Sequence, residues 1–130
     1  SYPEMRDIPA IALQTELTGF AQPDSPAAAR RAYYACVSFV DEQIGRLLDA
    51  LERTGTADRT VVALISDHGF HLGDHGGLWA KLSAFDQATR VPFLLAGPGV
   101  PAGRRVASPV ELLDLFPTLT ALTGHAAPPG

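Results

Sequence analysis

An α/β fold, with a mostly parallel sheet flanked by helices, is what this sequence predicts, and three observations carry that expectation. The six residues Val61–Ser66 place five apolar side chains in a row, a pattern suited to a strand covered on both faces. A second apolar run, Val91-Pro92-Phe93-Leu94-Leu95-Ala96, follows some 25 residues later. Helical patterns precede the first run and follow the second. The resulting order of helix, strand, loop, strand and helix is an α/β layout.

The elements can be justified in chain order. Residues 1–24 contain Pro3, Pro9, Gly19 and Pro23 without a sustained period, so they read as an extended arm with one short helix near Ile11–Leu17. An arm of that length is unusual inside a compact domain. The region 25–124 forms the α/β core. Asp24-Ser25-Pro26 opens its first helix, since Asp or Ser caps well and proline suits the first helical position. Tyr33, Val37, Val40, Ile44, Leu47, Leu48 and Leu51 then recur at three- and four-residue steps, one apolar face turned to the core. On that helix Cys36 reads as a small buried hydrophobe and Tyr33-Tyr34 as packing residues. Gly55 ends the helix, and Ala57-Asp58-Arg59 turns into the first strand.

Glycines 69, 73, 76 and 77 argue against a helix after that strand and predict a shaped loop. Ser83–Thr89 is expected to form a short helical turn, with Asp86 and Arg90 as an ion pair or turn. In the second strand Pro92, lacking an N–H, belongs at the start or an edge. Residues 97–109 form a loop. Val110–Leu122 is a helical stretch that Pro117 must kink or split, and Gly124 closes it. Residues 125–130 read as a frayed end.

Composition narrows the function classes. The chain has 130 residues, enough for one domain and one core. Only 18% are charged, below the usual ~25%, which suggests that other polypeptide normally covers some of this surface. The net charge is −4, and the cations are nine arginines and one lysine, scattered. That distribution argues against nucleic-acid binding. A lone cysteine forms no internal disulfide, so the redox compartment is open. No apolar run approaches the length of a membrane span and no signal peptide is visible, and localisation is unresolved.

The chemistry concentrates where the first strand stops. In open α/β sheets ligands bind just beyond the carboxyl ends of strands, and there stand Asp67 and His68, both potential metal ligands, followed by Gly69. Fourteen residues after Asp67 comes Lys81, the chain's single lysine, a compact positive charge suited to an anionic oxygen. His68, His71 and His75 also make an H-x-x-H-x-x-x-H spacing that invites a zinc reading. Metalloprotease histidines four apart require a helix and a glutamate base, whereas this stretch is rich in glycine. His71 and His75 therefore read better as hydrogen-bonding groups shaping a pocket wall. Trp79 is a second wall candidate or a core residue.

Ser66-Asp67-His68-Gly69, Leu72-Gly73-Asp74-His75-Gly76, Trp79-Ala80-Lys81 and Thr89-Arg90-Val91-Pro92 resemble the C-terminal half of a sulfatase catalytic domain. The similarity is to the iduronate-2-sulfatase and choline-sulfatase branch of the alkaline-phosphatase-like superfamily, over roughly residues 30 to 124. The resemblance implies an alkaline-phosphatase-like fold of which this chain is a part. It implies that Asp67 and His68 ligate a divalent ion, calcium by family habit, and that Lys81 contacts the sulfate oxygens as a catalytic and substrate-binding group, with His75 a further substrate-facing candidate. Family members convert a Cys or Ser within C-x-P-S-R to formylglycine, which, hydrated, attacks sulfur. Ala35-Cys36-Val37-Ser38 does not match that motif, so the nucleophile, the acidic metal-binding pair and the remainder of the catalytic domain are expected elsewhere. The substrate class implied is a sulfated small molecule or carbohydrate. A phosphatase or phosphonate monoester hydrolase of the same superfamily, and a non-catalytic domain binding an anion or partner, are the alternatives. Because the nucleophile is missing, the isolated chain is expected to be inactive.

Overall fold

Ser25 starts the first helix as expected: its Oγ accepts the Ala28 N–H at 3.3 Å, and Pro26 takes a position where no backbone donor is needed. In the computed structural model, which describes residues 23–126, α1 runs from Pro26 to Arg53. It ends in a Schellman turn, with the Thr56 N–H on the Leu51 carbonyl and the Gly55 N–H on the Glu52 carbonyl, both at 3.0 Å. Gly55 sits at φ 64°, a conformation that a Cβ would penalise. There follow a 3₁₀ turn (Ala57–Arg59), β1 (Val62–Ile65), β2 (His71–Asp74), β3 (Leu78–Ala80), α2 (Asp86–Thr89), β4 (Phe93–Ala96), a second 3₁₀ turn (Leu112–Asp114) and α3 (Leu115–Leu122).

The chain divides into two compact units. One comprises the described residues up to Gln43 together with Ile65–Pro92. Its centre is the antiparallel pair β2–β3, with His71 opposite Ala80, Leu72 opposite Trp79, Asp74 opposite Leu78, and an irregularity between Leu72 and Asp74. Gly73 occupies that bulge at φ 96°. A Cβ there would lie 2.8 Å from Arg30 Nη2 and 3.2 Å from the Trp79 ring. Arg30 fastens α1 to the hairpin: its Nε donates to the Leu72 carbonyl at 2.8 Å, and its guanidinium lies 5.6 Å from the Trp79 ring centre. Tyr33 packs on Phe70 with ring centres 5.3 Å apart.

The other unit comprises Ile44–Leu64 and the residues from Phe93 onward. Here β1 and β4 are hydrogen-bonded neighbours in a two-stranded sheet. Gly97, just past β4, approaches Thr60 so closely that a Cβ would lie 2.4 Å from its carbonyl oxygen. The α3 helix closes in a second Schellman turn, with the His125 N–H on the Thr120 carbonyl at 2.9 Å and Gly124 at φ 73°.

Several expectations need correction. The span 69–77 is not only a loop, because β2 and the start of the β2–β3 turn fall inside it. Its glycines serve the bulge and the turn rather than prevent pairing, with His75, Gly76 and Gly77 all at positive φ. The apolar face of α1 is not a core face: no residue of α1 is buried, and Val37, Val40, Leu47 and Leu48 are exposed. Cys36 is exposed as well. Periodicity reports which face is apolar, while burial also needs something to cover it. The strands are shorter than the apolar runs, with Val61, Ser66, Val91 and Pro92 left outside them. Pro117 does not kink a helix. It is the third residue of α3, in the first turn, where its missing N–H has no intrahelical partner to lose. The split falls earlier, at Asp114/Leu115. The expected arm 1–24, with its helix near Ile11–Leu17, lies outside the described residues except at 23 and 24, and of the end 125–130 only 125 and 126 are described. Asp86 and Arg90 are joined through the backbone, the Arg90 N–H donating to the Asp86 carbonyl at 2.7 Å at the end of α2.

Candidate active site

Adjacent side chains on a strand point to opposite faces, so Asp67 and His68 can meet only if the strand has ended. It has: β1 stops at Ile65, and Ser66 Oγ donates to the His68 carbonyl at 2.7 Å, folding the chain over. Asp67 Oδ1 accepts the His68 N–H at 3.0 Å. Its Oδ2 then lies 3.2 Å from His68 Nε2. The turn is held by Gly69, whose N–H donates to the Ala88 carbonyl at 2.8 Å. A Cβ on Gly69 would sit 2.0 Å from the Gln87 carbonyl oxygen. Gly69 is thus required by a close approach of two backbones rather than by an unusual φ.

His68 Nδ1 is 2.9 Å from the Gly69 carbonyl. A carbonyl only accepts, so Nδ1 carries a proton, and when the ring is neutral the lone pair is on Nε2. Toward that lone pair comes Lys81 Nζ, at 2.5 Å. The glycine-bearing segment therefore reverses and returns the lysine to the Asp67–His68 turn. An exposed carboxylate, an imidazole lone pair and an ammonium converge, with Asp67 82% exposed at its side chain and thus open to further groups.

A second cluster lies in the hairpin. His71 is 1% exposed, the one buried polar residue among those described. Its Nδ1 makes a very short contact with Asp74 Oδ2, and its Nε2 lies 2.6 Å from Ser83 Oγ. Asp74 Oδ1 also accepts the Leu72 N–H at 2.9 Å. Burial pushes the Asp74 carboxyl up, but the His71 hydrogen bond, the backbone N–H groups of Leu72 and Asp74 and the His71 charge outweigh it and leave it below the ordinary aspartate value. His75 stacks on Phe85 with ring centres 4.2 Å apart, and its Nε2 lies 2.9 Å from Gln87 Oε1. Its Nδ1 is buried without a partner.

Of the residues singled out from sequence, Asp67, His68 and Lys81 come together, while His71 and His75 belong to the hairpin cluster. Trp79 packs against Arg30 and Gly73. Among the described residues no group of three or more His, Cys, Asp or Glu side chains could hold a metal ion, so the three histidines do not make a zinc site of their own. A carboxylate oxygen of Asp67 and an imidazole nitrogen of His68 face one space, two donors of the kind a divalent ion accepts. Calcium takes about six to eight ligands, which the described residues do not supply. Sequence reasoning missed the links from His71 to Ser83 and from His75 to Phe85 and Gln87. No periodicity joins these positions, and recognising the hairpin was the signal that would have paired them.

A carboxylate, an imidazole and a lysine gathered beyond a strand end form a donor set of the kind found in hydrolases of anionic esters. The sulfatase family model matches residues 8–125 of this chain. A sulfatase of Formosa agariphila is 47% identical over 97 residues, covering 75% of this chain and 19% of that protein. The choline-sulfatase of Rhizobium meliloti is 45% identical over 96 residues, 74% of this chain and 18% of its own length. Human iduronate 2-sulfatase is 41% identical over 125 residues, 77% of this chain and 22% of its own length. The chain belongs to the sulfatase family, and it spans about a fifth of the length of these curated relatives. Among the described residues no helix is long and apolar enough to cross a membrane.

Proposed function

We propose that this chain is the part of a sulfate-ester hydrolase that supplies two divalent-metal ligands, Asp67 and His68, and a sulfate-binding lysine, Lys81. The observation that carries the reading is the convergence of Lys81 Nζ on His68 Nε2 at 2.5 Å, with Asp67 Oδ2 3.2 Å from the same nitrogen. Asp67 and His68 would hold the ion, calcium by family resemblance, which when bound supplies Lewis-acid polarisation of sulfate oxygens. The Gly69 carbonyl fixes the His68 ring so that Nε2 faces the ligand space. Lys81 carries three N–H donors. Facing a sulfate, it donates to the sulfate oxygens, and at the bridging oxygen it stabilises the negative charge that grows there as the ester S–O bond breaks. His75, stacked on Phe85 with its Nε2 on Gln87 Oε1, is a further substrate-facing candidate. The nucleophile, a formylglycine in the family pattern, and the remaining metal ligands come from outside this chain. The names choline-sulfatase and iduronate 2-sulfatase borne by relatives favour a sulfated small molecule or carbohydrate as substrate. On this reading β1 and β4 are a piece of the mostly parallel sheet of an alkaline-phosphatase-like fold.

The test uses the full-length protein. Lys81→Ala should lower turnover of an aryl sulfate by roughly 10²- to 10³-fold, the scale for losing one preorganised charge-stabilising donor. Lys81→Arg should recover only part, since a planar fork replaces a point charge. Asp67→Ala should lower the bound metal per protein. Near-wild-type turnover in Lys81→Ala at full metal content would remove the lysine from the site. Faster hydrolysis of the matching aryl phosphate by the wild type would favour a phosphatase instead.

A further inference from the structure

Lys81 is a flexible side chain at an exposed position, yet its ammonium lies on His68. Something must set the backbone that carries it. Two residues flank Lys81 closely, and both lead to His71. On one side Ala80, 2% exposed, is the register partner of His71 across the hairpin. Ala80 sits at φ 72°, the left-handed region that non-glycine residues seldom adopt and that persists only where surroundings impose it. On the other side Ser83 donates its N–H to the Lys81 carbonyl at 2.9 Å, closing a tight turn around the lysine. The Ser83 hydroxyl lies 2.6 Å from His71 Nε2. The Phe85 N–H donates to the same Oγ at 3.3 Å.

Orientation within this chain of groups follows from the donors. Asp74 accepts from His71 Nδ1; in the neutral ring Nε2 then accepts the Ser83 hydroxyl hydrogen, and in the charged ring it donates to Ser83 Oγ. The connectivity of serine, histidine and aspartate is that of a nucleophilic triad. At 1% exposure, however, the imidazole has no open face from which to pass a proton to a leaving group. Burial makes the network rigid instead: a buried polar group with both nitrogens satisfied is costly to displace.

We infer that His71 is a positioning residue for Lys81, acting through Ser83 to fix the turn that delivers the ammonium to His68. The inference rests on the reading of Lys81 as the sulfate-binding group, and its consequences differ from that reading's. Removing the Ser83 hydroxyl leaves every proposed metal and sulfate contact in place and releases the turn from His71 and from the Phe85 N–H. A displacement of about 1 Å at a reacting group can cost up to roughly 10²-fold.

The experiment is a double-mutant cycle in the full-length, metal-loaded protein, combined with amine acetylation at Lys81 followed by peptide mass spectrometry. Ser83→Ala should lower kcat on an aryl sulfate by roughly 10- to 10²-fold and speed acetylation of Lys81, while Ser83→Thr, which keeps the hydroxyl, restores both. In a Lys81→Ala background the added loss from Ser83→Ala should disappear. His71→Gln, a second route to the same break, should reproduce the faster labelling. An equal loss of kcat with and without Lys81, or labelling unchanged by both Ser83→Ala and His71→Gln, overturns the proposal. Should Lys81→Ala alone leave turnover intact, the functional reading of Lys81 falls and the contribution of His71 positioning to turnover falls with it. The labelling rates would then still show whether His71 and Ser83 hold the lysine.

Discussion

Asp74 and His71 show how much a single contact decides. The Asp74 carboxyl is pushed up by burial and brought below its ordinary value by the His71 hydrogen bond, by backbone donors and by the His71 charge. A group whose folded pKa is depressed contributes stability that is present above its unfolded value, about 3.9 for aspartate, and lost as pH falls through the folded value. In the full-length protein, Asp74→Asn should therefore be less stable than wild type near neutral pH. The gap in urea midpoint should shrink as pH drops below about 4. A gap that stays constant down to about pH 2.5 would mean that the carboxylate charge is not its source. Lys81 and His68 belong to the same scale: neither residue is unusual in itself, and it is the 2.5 Å approach between them that suggests a site.

Among the elements, the hairpin β2–β3 and the short helix α2 together shape the turn that presents Asp67 and His68. Gly69 is where they meet, its N–H on the Ala88 carbonyl and its Cα hydrogen facing the Gln87 carbonyl. Gly69→Ala places a methyl carbon 2.0 Å from that oxygen, and backbone cannot yield as a side-chain tip does. The substitution should destabilise by about 1–3 kcal/mol, the usual scale of overpacking, and should also reduce bound metal because the turn moves. Urea unfolding and metal analysis of the full-length variant check both, and an unchanged midpoint would contradict the contact. β1 and β4 were legible from apolar runs, and α2 falls within the helical turn expected over Ser83–Thr89. The hairpin was not, because its pairing depends on a bulge at Gly73 and a left-handed turn that break the alternation by which strands are recognised.

At the scale of the whole molecule, the apolar surface left uncovered is the dominant feature. Ile44, Leu47, Leu48 and Leu51 of α1 line an apolar groove with Val61–Leu64. Tyr34, Val37, Phe39 and Val40 are exposed on the same helix. Exposed apolar area of this extent is typical of surface covered by more protein, in keeping with relatives of whose length the match spans only 18–19%. The isolated 130-residue chain should bind a hydrophobic dye such as ANS far more strongly, per mole, than the full-length protein does. It should hydrolyse no aryl sulfate. Turnover by the isolated chain that is abolished by Asp67→Ala would reveal a nucleophile among these residues and overturn that expectation.

By itself the sequence determined the α/β order of elements, the ends of α1 and α3 at Gly55 and Gly124, and the family, because caps, glycines and short motifs act locally and are written in neighbouring residues. It also marked Asp67, His68 and Lys81 as chemistry-bearing. Only the tertiary structure decided that Lys81 returns to His68, that His71 is buried between Asp74 and Ser83, and that the apolar face of α1 is uncovered. Those outcomes depend on which distant groups approach one another, and contacts across 12 or 13 residues leave no periodic trace in the chain.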